Sequence, residues 1–121
     1  TAWRLRRDAA AWWRVAHSTS IPYFRPPYGA YDSNVLKASG RTGYGRVILW
    51  SVDPQDWQDP PPSTIASRVL THVRHGSIVI MHVKRNTARA LPLILHGLKR
   101  EDLKPVNLDA LFAAAGLRYF R

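Results

Sequence analysis

Two short apolar runs, Arg46 to Val52 (RVILWSV) and Ser77 to Met81 (SIVIM), constrain this chain more than any other feature. Neither alternates polar with apolar, so both read as strands covered on both faces, as in a parallel sheet. Between them, three prolines at 60 to 62 stop regular structure. Ser63 then opens a helical pattern with Ile65, Val69, Leu70 and Val73 inward and Gly76 just past its end. Strand, helix and strand in this order make a right-handed parallel βαβ unit.

The same alternation extends in both directions. Residues 3 to 16 form an amphipathic pattern, with Leu5, Ala9, Trp12, Trp13 and Ala16 on one stripe and Arg4, Arg7, Asp8 and Arg14 elsewhere. His17 to Ser20 close that helix, and Ile21 to Phe24 give a short strand. A second helix is expected from Ser33 toward Ser39, capped by Asp32 or Ser33, ended by Gly40, and held by Val35 and Leu36. Beyond Met81, Thr87 or a neighbour opens another helix with Leu91, Ile94, Leu95 and Leu98 on one side. Pro92 is expected near enough its start to be tolerated. A short strand about Lys104-Pro105-Val106 leads to a last helix carrying Leu108, Leu111, Phe112 and Ala115, then an apolar tail, Leu117 to Phe120. The expected class is α/β, parallel strands alternating with helices.

A length of 121 residues suits one domain with one core. Apolar residues at 45% and charged residues at 21% place the chain among globular proteins. No apolar run approaches a membrane span, and no leader with a cleavage site is present. The chain starts at a threonine, which suggests a fragment or a processed product. With no cysteine, disulfides are excluded. A formal charge of +10, spread over scattered arginines, would favour polyanions such as nucleic acid or an anionic cell-wall polymer, but a solvated surface with an arginine-rich coding bias is the preferred reading.

Arg25-Pro26-Pro27-Tyr28-Gly29 follows the first strand. Each proline fixes φ, removes a donor and extends the residue before it, so the segment is a stiff spur. The first free main-chain donor after Arg25 is the Tyr28 amide, beside a glycine that lets the backbone turn. A fixed donor near a fixed cation is one reading; a surface turn is the other. Asp56 and His82 stand just after the C-terminal ends of the next two strands, the end where α/β sites assemble.

Taken in order, RPPYG, then DPQDW after one buried strand and IVIMH at the end of the next, resemble three signature motifs of a known family. ALPLIL and VNLDALF downstream strengthen the match. The family is the polysaccharide deacetylases, the NodB-homology domain of carbohydrate esterase family 4, and the chain is similar to its C-terminal part. The resemblance implies a single incomplete domain, 1 to 121, folded as a partial distorted (β/α) barrel. It implies hydrolysis of acetamide bonds in N-acetylated sugars of peptidoglycan or chitin-like polymers, with a divalent metal, usually zinc, and action in secreted or cell-envelope settings.

By that resemblance His82 is the general acid, a task suited to a side chain that titrates near neutrality. Asp56 pairs with it, since a neighbouring carboxylate favours the charged imidazolium. The Tyr28 amide is an oxyanion donor, and Arg25 orients a catalytic-base aspartate. Trp57 and Ile80 wall the pocket for the acetyl methyl, and Pro27 joins them in substrate binding.

The departures are equally specific. The family's Thr-Phe-Asp-Asp strand end and its His-Ser-x-x-His pair, which hold the base and the metal, are absent, so no residue here is assigned to metal. His17-Ser18 imitates the second motif, but Ile21 stands where its second histidine belongs, which reads as a helix-ending turn. His72 and His75 share a helix face at metal-binding spacing but read as surface residues at a helix C-terminus. His96 reads as a surface residue, and Val83 replaces the aspartate common after the acid. Asp53 reads as a brace for the turn at Pro54.

The expectation is therefore the C-terminal portion of a carbohydrate deacetylase, inactive alone, with exposed strand edges that favour association. A noncatalytic glycan-binding remnant of the same fold is the alternative. A basic nucleic-acid-binding module ranks last, for want of a motif or a clustered basic helix.

Overall fold

The computed structural model describes residues 2–116, so the tail expected at Leu117 to Phe120 lies outside the described residues. In chain order the elements are α1 (Ala2–Ala16), β1 (Tyr23–Phe24), α2 (Ser33–Arg41), β2 (Arg46–Val47), α3 (Pro62–His72), α4 (Arg85–Arg100) and α5 (Leu108–Ala114). Short 3-10 turns occupy Pro27–Gly29 and Asp56–Gln58. The chain is a helix-rich α/β fold that divides into two compact units, Thr1–Leu49 and Trp50–Arg121.

In the first unit β1 and β2 pair in parallel, Tyr23 opposite Arg46 and Phe24 opposite Val47. The helix α2 is capped as the sequence suggests, Asp32 Oδ1 accepting the Val35 N–H at 2.8 Å. It runs through Gly40 to Arg41, and its buried residue is Ser39, whereas Leu36 is exposed. Of the stripe on α1 only Leu5 is buried; Trp12 and Trp13 keep 54% and 60% of their surface. This fifteen-residue helix packs on a nine-residue one, so its apolar stripe is longer than the face it meets.

In the second unit, α3 begins with Pro62 in its first turn, where a missing N–H costs nothing. It packs on α4 through a core of Ile65, Ala66, Val69, Val73, Ala90, Ile94 and Leu98, with Leu70, Val79, Met81 and Leu103 at the margin. Gly97 leaves room for the Leu70 side chain, whose methyl groups would have to move if a Cβ stood there. Contrary to expectation, Leu91 and Leu95 on α4 are exposed, and Thr87 and Ala90 take the inward positions. Pro92 is not near the start but eight residues in, where it deprives the Ala88 carbonyl of its usual donor.

The two apolar runs carry less ladder than expected. Within the first, Arg46–Val47 is strand, Leu49 is 41% exposed, and Val52 is buried. Val52 and Val79 form an isolated parallel bridge, with Val52 N–H donating to Ile78 O and Ile80 N–H to Val52 O. Residues 104–106 form no strand. That single bridge fixes where both chain segments end, and so places the turn at Asp56 and the imidazole of His82 just beyond them.

Candidate active site

Burial alternates along the extended chain after the bridge: Val52, Pro54 and Asp56 are buried while Asp53 and Gln55 face out. Asp53 Oδ1 accepts the Gln55 N–H at 2.8 Å, and Arg68 Nη1 donates to Pro54 O at 3.0 Å. Gln55 and Asp59, at φ 53° and 59°, bracket the 3-10 turn in the left-handed region, a costly conformation for residues with a Cβ. The turn aims the Asp56 side chain inward, where it is 0% exposed.

There the carboxylate accepts three hydrogen bonds. Oδ1 takes His82 Nδ1 at 2.8 Å; Oδ2 takes the His82 N–H and Thr87 Oγ1, each at 2.7 Å. Burial pushes the Asp56 pKa up, but the backbone and side-chain bonds from His82, the Thr87 hydroxyl and the attraction of the imidazole outweigh it. The net direction is down, and Asp56 is a carboxylate at neutral pH.

A carboxylate only accepts, so His82 Nδ1 carries a proton and the neutral ring leaves Nε2 bare. The His82 side chain remains 36% exposed, and Nε2 has no hydrogen-bond partner among the described residues. The result is an imidazole fixed at one nitrogen and open at the other, the arrangement needed to pass a proton to or from a bound group.

The spur belongs to the first unit. Tyr28 has φ 57° and ψ 13°, left-handed although it is no glycine, and its side chain is 98% exposed. Gly29 N–H donates to Pro26 O and Ala30 N–H to Pro27 O, each at 3.1 Å, but the Tyr28 N–H has no acceptor among the described residues. Pro26 is buried and anchors the segment; Pro27 and Arg25 are exposed, and Arg25 forms no ion pair among the described residues. In the second unit Trp57 keeps 55% of its surface, whereas Ile80 keeps 7%.

Two contributors have no signature in the sequence motifs. The helix α4 starts at Arg85, two residues before Thr87, and the threonine hydroxyl is spent on Asp56. Lys84 Nζ donates to Trp57 O at 2.9 Å. One general signal does point to both: a helix after a strand begins beside that strand's C-terminal end, so polar groups in its first turn are near neighbours of His82.

Among the described residues no other histidine hydrogen-bonds to this cluster. His17, at φ 47°, ends α1 and donates its N–H to Trp13 O, His72 Nδ1 donates to Arg68 O at 2.8 Å, and His75 and His96 are exposed. Among the described residues no group of three or more His, Cys, Asp or Glu side chains is gathered to hold a metal ion. No described helix is long and apolar enough to cross a membrane.

A chitooligosaccharide deacetylase of Bradyrhizobium is 43% identical over 107 residues, covering 75% of this chain and 48% of that protein. A peptidoglycan-N-acetylglucosamine deacetylase, PgdA, of Listeria monocytogenes is 34% identical over 100 residues, 79% of this chain and 21% of its own length. Among solved structures, a carbohydrate esterase family 4 pseudoenzyme of Bacillus anthracis, BA3943, superposes with a TM-score of 0.81 at 27% identity, over 91% of this chain and 38% of that one. The chain belongs to the NodB-type polysaccharide deacetylases. No protein-family model matches it. It spans less than half the length of each of these three proteins.

Proposed function

We propose that this chain supplies the acid half of a carbohydrate N-deacetylase, with His82 as general acid and Asp56 as the carboxylate that holds its Nδ1 proton. The observation that carries this reading is the buried, triply bonded Asp56 set against an imidazole whose Nε2 is open. An amine leaving from a tetrahedral intermediate needs a proton: the His82 imidazolium, its Nδ1–H held by Asp56, gives the Nε2 proton to that nitrogen and is left as the neutral Nδ1–H ring, an effect worth about 10²–10⁴-fold. The Tyr28 N–H, set by two prolines and without an acceptor among the described residues, supports a role as oxyanion donor, and the guanidinium of Arg25, in no ion pair among the described residues, supports a role in orienting a carboxylate. Trp57 and Ile80 are assigned to the acetyl group, and Pro27 to substrate binding, by their place in the motifs.

The substrate class is an N-acetylated polysaccharide, peptidoglycan or a chitin-like polymer, met in the cell envelope or outside the cell; the relatives' names support it. The whole domain is a distorted (β/α) barrel that uses a divalent metal. Among the described residues no group of three or more His, Cys, Asp or Glu side chains is gathered to hold such an ion, so the steps assigned to this chain are proton delivery and oxyanion support, and acetate release is assigned to the whole domain.

A second reading is a noncatalytic glycan-binding remnant; the pseudoenzyme among the structural neighbours supports its noncatalytic part. The two separate when this chain replaces the matching stretch of the Bradyrhizobium deacetylase and acetate release from N-acetylglucosamine oligomers is measured. The first reading expects activity that His82→Gln cuts by about 10²-fold or more. Oligomer binding without acetate release, or activity indifferent to His82→Gln, favours the second.

A further inference from the structure

Thr87 lies outside the three motifs, yet it is the group that defines how the carboxylate sits. A carboxyl torsion is broad and two-fold, so an aspartate held at one oxygen by one neighbour can still turn. Asp56 Oδ2 accepts from the His82 N–H, which belongs to the same residue the other oxygen must orient, and from Thr87 Oγ1, which comes from a separate element, α4. That second anchor fixes the carboxylate plane independently of His82. Thr87 is 4% exposed, and its branched Cβ restricts χ1, so the hydroxyl has few other places to point. The same end of α4 holds the rest of the turn, through Lys84 Nζ to Trp57 O at 2.9 Å and Asn86 Nδ2 to Asp59 O at 3.4 Å.

We propose that Thr87 is a positioning residue: its hydroxyl pins Asp56 Oδ2 so that Oδ1 faces His82 Nδ1, which keeps the ring proton there and Nε2 open. The proposal rests on the reading of His82 as the acid.

The test uses the whole chain, Thr87→Val and Thr87→Ser, with no sugar or metal. The ring nitrogen signals of His82 report its tautomer, and the Asp56 carboxyl carbon reports its titration. In the wild type the neutral ring is dominated by the Nδ1–H form. Thr87→Val, which replaces the hydroxyl by a methyl, turns this into a mixture and moves the Asp56 titration upward, and Thr87→Ser restores both. A folded Thr87→Val with the wild-type tautomer and the wild-type Asp56 titration overturns the proposal. Should Thr87→Val not fold, the wild-type hydroxyl proton decides: slow exchange with a cross-peak to the His82 N–H supports the role, and exchange at the rate of a surface threonine overturns it. An intact Nδ1–H pair in the chain, together with a hybrid deacetylase that releases no acetate, would remove the deacetylase reading and leave the Thr87 geometry standing.

Discussion

Asp56 grips residue 82 twice, taking its ring Nδ1 on one oxygen at 2.8 Å and its main-chain N–H on the other at 2.7 Å. One carboxylate thereby fixes both the backbone and the ring of His82. A buried charge is costly unless its lone pairs are met, and the Thr87 hydroxyl supplies the third donor.

Asp56→Asn is expected to destabilise the chain by about 3 kcal/mol, the scale of leaving buried hydrogen-bonding groups around a carboxylate unsatisfied. An amide offers one acceptor oxygen where two are in use, and its NH₂ meets a donor. The matched control is Asp53→Asn, at an exposed turn position whose single bond to the Gln55 N–H an asparagine also accepts; it should stay within about 0.5 kcal/mol. Thermal melts of the two variants read the difference, roughly 10 °C or more, and equal melting would mean the pair contributes nothing to the fold.

The pH dependence is set by the direction of the Asp56 shift. Its folded pKa is depressed, so the unfolded chain binds the proton more readily, and stability rises with pH through that range. The contribution is complete above the unfolded carboxylate value of about 3.9 and is lost as pH falls through the lower folded value. Urea unfolding between pH 2 and 6 should show an acid limb steeper in the wild type than in Asp56→Asn. Parallel limbs would place the acid sensitivity on other carboxyls.

On α4, Ile94→Ala is expected to cost about 3 kcal/mol and Leu95→Ala less than about 1 kcal/mol. Ile94 is 4% exposed and Leu95 48%. Denaturant midpoints compared at equal slope test the pair, and a larger loss at Leu95 would mean the helix faces the other way.

That contrast also explains what the sequence could and could not reveal. Helix positions are readable from caps and prolines, as at Asp32 and Pro62, because a local hydrogen bond or a fixed φ sets them. The inward face of α4 is misread when its large residues are assumed to point inward. Thr87 and Ala90 are small, and their smallness is what lets the helix approach α3 and the turn at Asp56, while Gly97 leaves room for Leu70. Strand length is overestimated for a related reason: apolar runs report burial, whereas a ladder needs partners, and Val52 has one bridge, to Val79. Motif order leads to Asp56 and His82; it does not lead to Thr87, since no local pattern distinguishes a hydroxyl that opens a helix from one that reaches across to a carboxylate.

Tyr28 offers a test of the spur that runs opposite to ordinary mutagenesis. Its left-handed backbone costs a residue with a Cβ about 1–2 kcal/mol, and the side chain, 98% exposed, offers no packing in return. Tyr28→Gly removes that strain but adds freedom to the unfolded chain worth roughly 0.5–1 kcal/mol, so a net stabilisation of about 0.5 kcal/mol is expected. The N–H survives the change, so acetate release in the hybrid deacetylase should persist. Tyr28→Pro does the reverse: it cannot reach φ 57° and deletes the donor. It should lower stability by about 2 kcal/mol or more and, if the amide is the oxyanion donor, cut the rate by about 10²-fold. A rate unaffected by losing that N–H would assign the spur to structure alone.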